Sequence, residues 1–206
     1  MGTATTTFNY TLSGSEVNSN GAALNVYVVV KGYYTYADIQ PAVVTVTIPG
    51  TDSVNGGGHL VLTSSNGQYA GLTGSKMNFG YTMKYNSSGK NLQGQANIII
   101  RANDGKVYQI KGNAIDSLAV SGTTYPRGGT IVTQANLTDI TNPFAPIAIG
   151  GNLKLQVDMT DAALGGQTDK VGITLWNSAG GLFFSSNWTG TTSIQQLLGR
   201  GNISVR

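Results

Sequence analysis

The sequence predicts an all-β protein, an antiparallel β-sandwich of the immunoglobulin-like or jelly-roll-like kind with few or no helices. Apolar and polar residues alternate with a period of two over many short stretches, as expected for strands with one buried face. Pairs of turn-forming residues separate these stretches, and helix start signals are scarce. Many short strands between frequent turns indicate a sandwich or a barrel.

The alternation is clearest at 42–48, where Val44, Val46 and Ile48 would share one face of a strand. Comparable runs recur along the whole chain and are each bounded by turn residues. The predicted strands are 5–12, 24–36, 42–48, 59–63, 76–85, 96–101, 106–111, 152–159, 170–176, 182–186 and 203–206.

Glycine-containing pairs supply the positive φ angles that tight reversals need. Asn103 to Gly105 makes the clearest hairpin turn. Only 192–198 and 161–164 lack helix breakers, and each could hold a single helical turn. The other turn pairs are Asn20-Gly21, Asn66-Gly67 and Gly165-Gly166.

The chain is predicted to have two parts, 1–50 and 51–206. The first holds about three strands, too few to enclose a core of its own, and a polar, glycine-rich stretch at 51–58 follows it. These strands could extend the main sandwich, form the end of a preceding immunoglobulin-like repeat, or pack on a neighbouring molecule. The main sandwich would occupy 51–206.

The residue inventory argues against an enzyme. The chain has no Cys, one His (His59) and one Glu (Glu16), and its nine acidic residues are spread along its length, whereas most catalytic chemistry uses His, Cys or paired carboxylates. With a net charge of +3 and scattered Lys and Arg, no basic stripe for nucleic acid is present. No apolar run approaches the roughly 18 residues of a membrane helix, so neither nucleic-acid binding nor membrane insertion is expected.

A series of short motifs in the second part carries a family resemblance. The motifs are, in order, Gly56 to His59, Gly74, Asn78 to Tyr81, Lys84-Tyr85, Leu118 to Gly122, Asp169 to Trp176 and Gly201 to Val205. Together they resemble the post-COAP-type domain, a β-rich module near the C-termini of large secreted bacterial proteins, over about residues 54–206. The resemblance implies a β-sandwich and an extracellular or cell-surface location, and it implies no reaction. We expect a signal peptide to be absent from this sequence.

Two aromatic clusters are candidates for binding a glycan. Sugar rings stack on exposed aromatic rings, and amide groups bond to sugar hydroxyls, so we expect the candidate residues to be Trp188, Asn187, Tyr33, Tyr34 and Tyr36. The alternative is that these rings cap the ends of the sandwich, because Trp and Tyr bury well while keeping a polar tip in water.

Three aspartates are candidates for a structural Ca²⁺ site. Asp158, Asp161 and Asp169 bracket a glycine-rich loop, which could bring hard oxygen ligands together with backbone carbonyls. The alternative is that these aspartates serve turn geometry alone. No other cofactor is expected.

Two classes of function remain open. The first is a non-catalytic module of a secreted or cell-surface protein, serving as an adhesion or spacer domain that binds a polysaccharide or another surface polymer. The second is a subunit of an extracellular filament or surface assembly, in which an edge such as 24–30 or 42–48 pairs with a strand of another copy.

Overall fold

The computed structural model describes the chain in two compact units, Met1–Pro49 and Gly50–Arg206. In the first unit, β1 (Gly21–Val26) pairs with β4 (Ala42–Thr47), and β2 (Val29–Val30) pairs with β3 (Tyr36–Ala37), both antiparallel. The residues described are 6–11, 13–14, 21–26, 29–30, 36–37, 42–47, 52–86, 89–162 and 169–206.

The second unit is one continuous antiparallel sheet of ten strands that curls into a half-barrel. Its strands pair in the order β12-β11-β10-β9-β8-β7-β6-β5-β14, and β13 pairs with β11. The strands are β5 (Ser53–Val61), β6 (Lys76–Tyr85), β7 (Leu92–Arg101), β8 (Val107–Ser121), β9 (Arg127–Asp139), β10 (Ile147–Asp161), β11 (Lys170–Trp176), β12 (Leu182–Ser185), β13 (Gln196–Leu197) and β14 (Arg200–Val205).

The all-β antiparallel class predicted from the sequence is confirmed. The two-layer sandwich is not, because the described strands of the second unit follow one another in a single sheet instead of two facing sheets. No helical element is found in the described part of 52–206.

Period-two alternation puts the core on one side of this sheet. In β6, Met77, Phe79, Tyr81 and Met83 are buried while the residues between them face outward. The same pattern holds along β10, where alternate residues from Leu153 to Met159 are buried. Each fully buried Leu, Ile or Met side chain contributes roughly 1.5–3 kcal/mol to folding, so this inner face supplies most of the unit's stability.

Several predicted elements differ from those in the structure. β9 was not predicted, and β8 runs to Ser121, well beyond the predicted end at 111. The described residues 6–11 form no strand, and the predicted turn of helix at 192–198 instead contains β13. Asp161, where the other predicted helical turn begins, ends β10, and 163–164 lie outside the described residues.

The edge of the sheet at β14 is capped by buried carboxylates. Asp169 Oδ2 accepts the Ile203 N–H at 2.8 Å, and Asp161 Oδ2 accepts the Val205 N–H at 2.9 Å. Arg127 Nη1 also donates to the Val205 carbonyl oxygen at 3.3 Å. These bonds join β14 to the start of β9, to the end of β10 and to the residue before β11, so they hold the curl of the sheet.

The other edge, at β12, is covered by a segment of the same chain. Asn66 exchanges backbone hydrogen bonds with Ser185, and the Gln68 and Tyr69 N–H groups donate to carbonyls of β12. Both edges of the second unit are therefore occupied, which reduces pairing with other strands. The predicted strand exchange between copies then depends on the first unit, at β1 or β4, and stays a prediction.

Candidate binding groove

A groove of about 780 Å³ crosses β6, β7, β8 and β9 on the side of the sheet opposite to the core. The residues that face it are outward positions of these strands, so their side chains stand in solvent. The lining residues are Gly80, Thr82, Gln95, Asn97, Lys111, Asn136 and Thr138, together with Tyr81, Gly94, Ala96 and Gly112.

Strand register arranges the centre of the groove as a row. Gly80 pairs with Asn97, Asn97 with Lys111, and Lys111 with Asn136. Side chains at directly opposite positions are close neighbours on one face of a sheet. Because adjacent strands lie about 4.8 Å apart, the row spans about 14 Å. Two amides and one ammonium group thus form a line across three strands, β7 to β9, with Gly80 of β6 at its end.

Gly80 leaves one end of this row open. No atom lies within 4 Å of the position that a Cβ would take there. Next to it, Asn97 Oδ1 accepts a hydrogen bond from Gln109 Nε2 at 2.9 Å. This bond fixes the Asn97 amide with its NH₂ group available as a donor.

The groove carries hydrogen-bonding groups but no acid or base pair. Its lining residues include no Asp, Glu or His, and Lys111 is the one charged residue among them. His59 lies on β5, outside the groove. It is half-buried, and its imidazole ring packs close to Gly199. The chemistry available in the groove is hydrogen bonding and attraction of negative charge.

Trp188 and Asn187, predicted as glycan-binding residues, lie in the segment that follows β12 and form bridges to Ser193 and Ser64. The Trp188 N–H donates to the Ser64 carbonyl oxygen at 2.9 Å, and the Asn187 carbonyl oxygen accepts the Ile194 N–H at 2.8 Å. Both residues are half-buried and neither lines the groove.

The predicted tyrosine cluster falls largely outside the described residues. Tyr33 and Tyr34 are not among them, and Tyr36 begins β3, where side chains are not described. Their predicted role in glycan binding stays a prediction.

The three aspartates predicted to bind calcium point to two sides of the sheet. Asp161 and Asp169 are buried, 3% and 0% exposed, and bond to backbone N–H groups of β14. Asp158 faces outward and accepts hydrogen bonds from Thr130 Oγ1 and Gln156 Nε2, each at 2.8 Å. Within the described ranges, no three His, Cys, Asp or Glu side chains lie close enough to hold a metal ion. The structural Ca²⁺ stays a prediction.

The two buried aspartates act on a buried tyrosine. Burial, followed by the charges of Asp169 and Asp161, raises the pKa of Tyr81, whose hydroxyl has no hydrogen-bond partner among the described residues. Burial also raises the pKa of Asp161. The hydrogen bond from the Val205 N–H lowers this pKa, but the effect of burial is larger. This cluster stands on the core side of the sheet and serves the closure at β14.

Asp139, at the end of β9, is held ionised by its neighbours. The Thr141 hydroxyl donates to Asp139 Oδ1 at 2.6 Å, the Thr141 N–H donates at 2.9 Å, and Lys106 Nζ lies 3.1 Å from Oδ2. These contacts, with the Thr141 hydrogen bonds the largest, lower the pKa of Asp139 to about 2. The corner between β9 and β10 is thereby fixed.

We expect Asp139→Asn to be less stable than the unmodified chain at neutral pH. Because the folded-state pKa lies below the unfolded one, the stabilisation by Asp139 is fully present above the unfolded pKa. It is lost as the pH falls through the folded pKa. The difference in free energy of unfolding between the two proteins should therefore stay constant down to about pH 4 and shrink toward pH 2. Urea unfolding from pH 7 to pH 2 measures it, and a difference that does not change with pH would contradict this assignment.

The groove residues were not predicted, although the sequence contains a signal for them. Outward positions on successive strands carry amides or hydroxyls, as at Gln95 and Asn97 on β7 and at Asn136 and Thr138 on β9. The signal is a repeated polar face, and it becomes readable only when the strand order and register are known.

Comparison of the chain with protein-family models, curated proteins and solved structures gave no match. The resemblance to the post-COAP-type domain therefore stays a prediction. Among the residues that the structure describes, no helix is long and apolar enough to span a membrane.

Proposed function

We propose that this chain is a non-catalytic binding module that holds a polysaccharide in the groove across β6 to β9. The observation that carries the proposal is the cross-strand row of Asn97, Lys111 and Asn136, in an open groove of about 780 Å³. Amide groups both donate and accept hydrogen bonds, which suits the hydroxyl groups of a sugar chain.

The shape of the groove supports a polymer over a small molecule. Small-molecule sites are mostly apolar concavities that bury most of the ligand. This groove is open to solvent, lined by amide, hydroxyl and ammonium side chains, and continuous across four strands. A ligand lying in it would keep much of its surface in water, as a chain of linked sugars can.

The groove chemistry supports binding without turnover. Hydrolysis of a glycosidic bond uses two carboxyl groups that flank the bond, and the groove lining contains none. The aspartates with described bonds, such as Asp161 and Asp169, are engaged in holding the fold. By its resemblance to secreted bacterial modules, we place the chain in an extracellular or cell-surface protein, as an adhesion or spacer domain.

The proposal predicts that Gly80→Val strongly weakens binding without harming the fold. The new side chain would enter the groove, where the Cβ meets no atom within 4 Å. A β-branched residue suits a strand better than glycine does, so thermal stability should be equal or higher. Affinity should fall about tenfold or more, a loss of roughly 1.4 kcal/mol. Affinity gel electrophoresis against a panel of plant, algal and bacterial polysaccharides measures the retardation.

The matched control is Ala119→Val, an exposed position of β8 that does not line the groove. This variant should be retarded as strongly as the unmodified protein. If Gly80→Val stayed folded and bound equally well, the groove would not be the binding site. If no polymer in the panel retarded the unmodified protein, the proposed function would be wrong.

A further inference from the structure

We infer that the polymer bound in this groove is anionic, a polysaccharide bearing carboxylate or sulfate groups, with Lys111 as its anchor. The inference rests on the proposed function, since it names the class of ligand for the same groove. The inference depends on an excess of positive charge on the outward face of β6, β7 and the first half of β8.

The outward positions of β6, β7 and the first half of β8 carry cations and no carboxylate. Lys76 and Lys84 lie on β6, Arg101 on β7 and Lys111 on β8, all exposed. The other outward residues on these stretches are neutral: Asn78, Gly80, Thr82, Gln93, Gln95, Asn97, Ile99, Val107 and Gln109. A surface with one sign of charge attracts ligands of the opposite sign.

Lys111 differs from Lys106, the lysine nearest to it in the sequence. Lys106 Nζ lies 3.1 Å from Asp139 Oδ2, so the carboxylate neutralises the charge of this lysine. Lys111 has no salt bridge among the described residues, and its cross-strand neighbours Asn97 and Asn136 are neutral. Its ammonium group therefore stands unneutralised in the middle of a row of hydrogen-bonding amides.

The other cations lie along the strands on either side of the groove. Arg101 Nη1 donates to the Lys76 carbonyl oxygen at 3.0 Å, which holds the guanidinium at one end of the outward face. Lys84 lies at the opposite end of β6, beyond Thr82. Positive charge thus lies on both sides of the row, along β6 and β7, while Lys111 is the cation within the groove. The flanking cations attract an anionic polymer to this face of the sheet.

A polysaccharide fits this face better than a nucleic acid does. Single-stranded nucleic acid binds by stacking its bases on exposed aromatic side chains along a cationic groove. No aromatic residue occupies an outward position of β6 or β7, from Lys76 to Lys84 and from Gln93 to Arg101. A sugar chain can also be held without ring stacking, through its hydroxyls and acidic substituents, and the amide, hydroxyl and ammonium groups present match these.

The test compares three acidic polysaccharides with their own neutral forms. Polygalacturonate, alginate and hyaluronan are assayed beside carboxyl-reduced samples of the same polymers, with dextran sulfate as the sulfated arm and single-stranded DNA as the nucleic-acid arm. The unmodified protein should bind at least one acidic polymer about tenfold more tightly than its carboxyl-reduced form. Because exposed charges are screened by salt, raising the ionic strength to 1 M should remove this preference.

Lys111→Gln should weaken binding to the acidic polymer about three- to fivefold more than it weakens binding to the neutral form, as expected for the loss of one exposed ion pair. The control is Lys170→Gln, which removes the same charge from an exposed position of β11, outside the groove.

The outcomes separate this inference from the proposed function. Equal affinity for acidic and neutral forms, with binding strongly weakened by Gly80→Val, would overturn the anionic ligand and keep the groove. DNA binding as tight as that of the best acidic polysaccharide would overturn the inference in favour of a nucleic acid. Binding to no polymer would overturn both.

Discussion

Asp169→Ala is expected to lower the free energy of unfolding of the second unit by about 3–5 kcal/mol. The Asp169 side chain is fully buried, and its two oxygens accept separate backbone N–H groups, from Ala162 at 3.0 Å and from Ile203 at 2.8 Å. Alanine would leave the buried Ile203 N–H and the half-buried Ala162 N–H without a partner, and each such group costs about 1–3 kcal/mol. The loss of stability should be greatest at β14. This strand lies at the edge of the sheet, where the Asp169 carboxylate accepts a backbone N–H that no neighbouring strand pairs with.

Chemical denaturation monitored by tryptophan fluorescence measures the loss. The control is Asp158→Ala, which removes a carboxylate from the outward face of the same region, where its partners are the side chains of Thr130 and Gln156. We expect this control to cost about 1 kcal/mol. Hydrogen exchange should show faster exchange at Ile203 and Val205 in Asp169→Ala. Equal stability of the two variants would contradict the role given to Asp169.

Gly201→Ala is expected to destabilise the unit by about 3 kcal/mol or more, because it combines strain with a steric clash. Gly201 has a φ of 127°, and a Cβ there would clash with the Gly57 carbonyl oxygen. Gly57 is part of β5, which pairs with β14 at Gly58 opposite Gly201. The two strands approach so closely that a methyl group at 201 would push them apart.

Gly105→Ala separates the two causes of that loss. Gly105 also has a positive φ, 80°, but nothing lies within 4 Å of its Cβ position. This variant should show only the conformational cost, about 1–2 kcal/mol. Thermal unfolding of both variants provides the comparison. If Gly201→Ala were no less stable than Gly105→Ala, the close approach of β5 and β14 would not contribute to stability.

The strands that could be predicted from the sequence are those with apolar inward residues. β6 alternates Met77, Phe79, Tyr81 and Met83 with polar neighbours, and its predicted bounds are those of the structure. β11 was also predicted with its observed bounds, Lys170–Trp176. In both, hydrophobic burial alone specifies which face turns inward, so the local pattern is sufficient.

β9 could not be predicted because its inward positions include Gly129, Thr133 and Ala135. These small or polar residues are buried because side chains and backbone of neighbouring strands pack against them. Thr133 Oγ1 donates to the Ala114 carbonyl oxygen at 2.9 Å, where β8 is bulged, and a Cβ on Gly112 would meet the Thr133 methyl group at 2.7 Å. Because β9 is packed this tightly between its neighbours, its inward residues are small or polar. Its sequence therefore shows little alternation between apolar and polar residues.

Composition and alternation within single strands were enough to predict the all-β antiparallel class and several strand bounds. That the second unit is one curled sheet, that Asp161 and Asp169 close it, and that Asn97, Lys111 and Asn136 form one row could be read only from the folded chain. Each of these depends on the register between strands distant in sequence. Alternation places a side chain on one of two faces, but only pairing selects its neighbours.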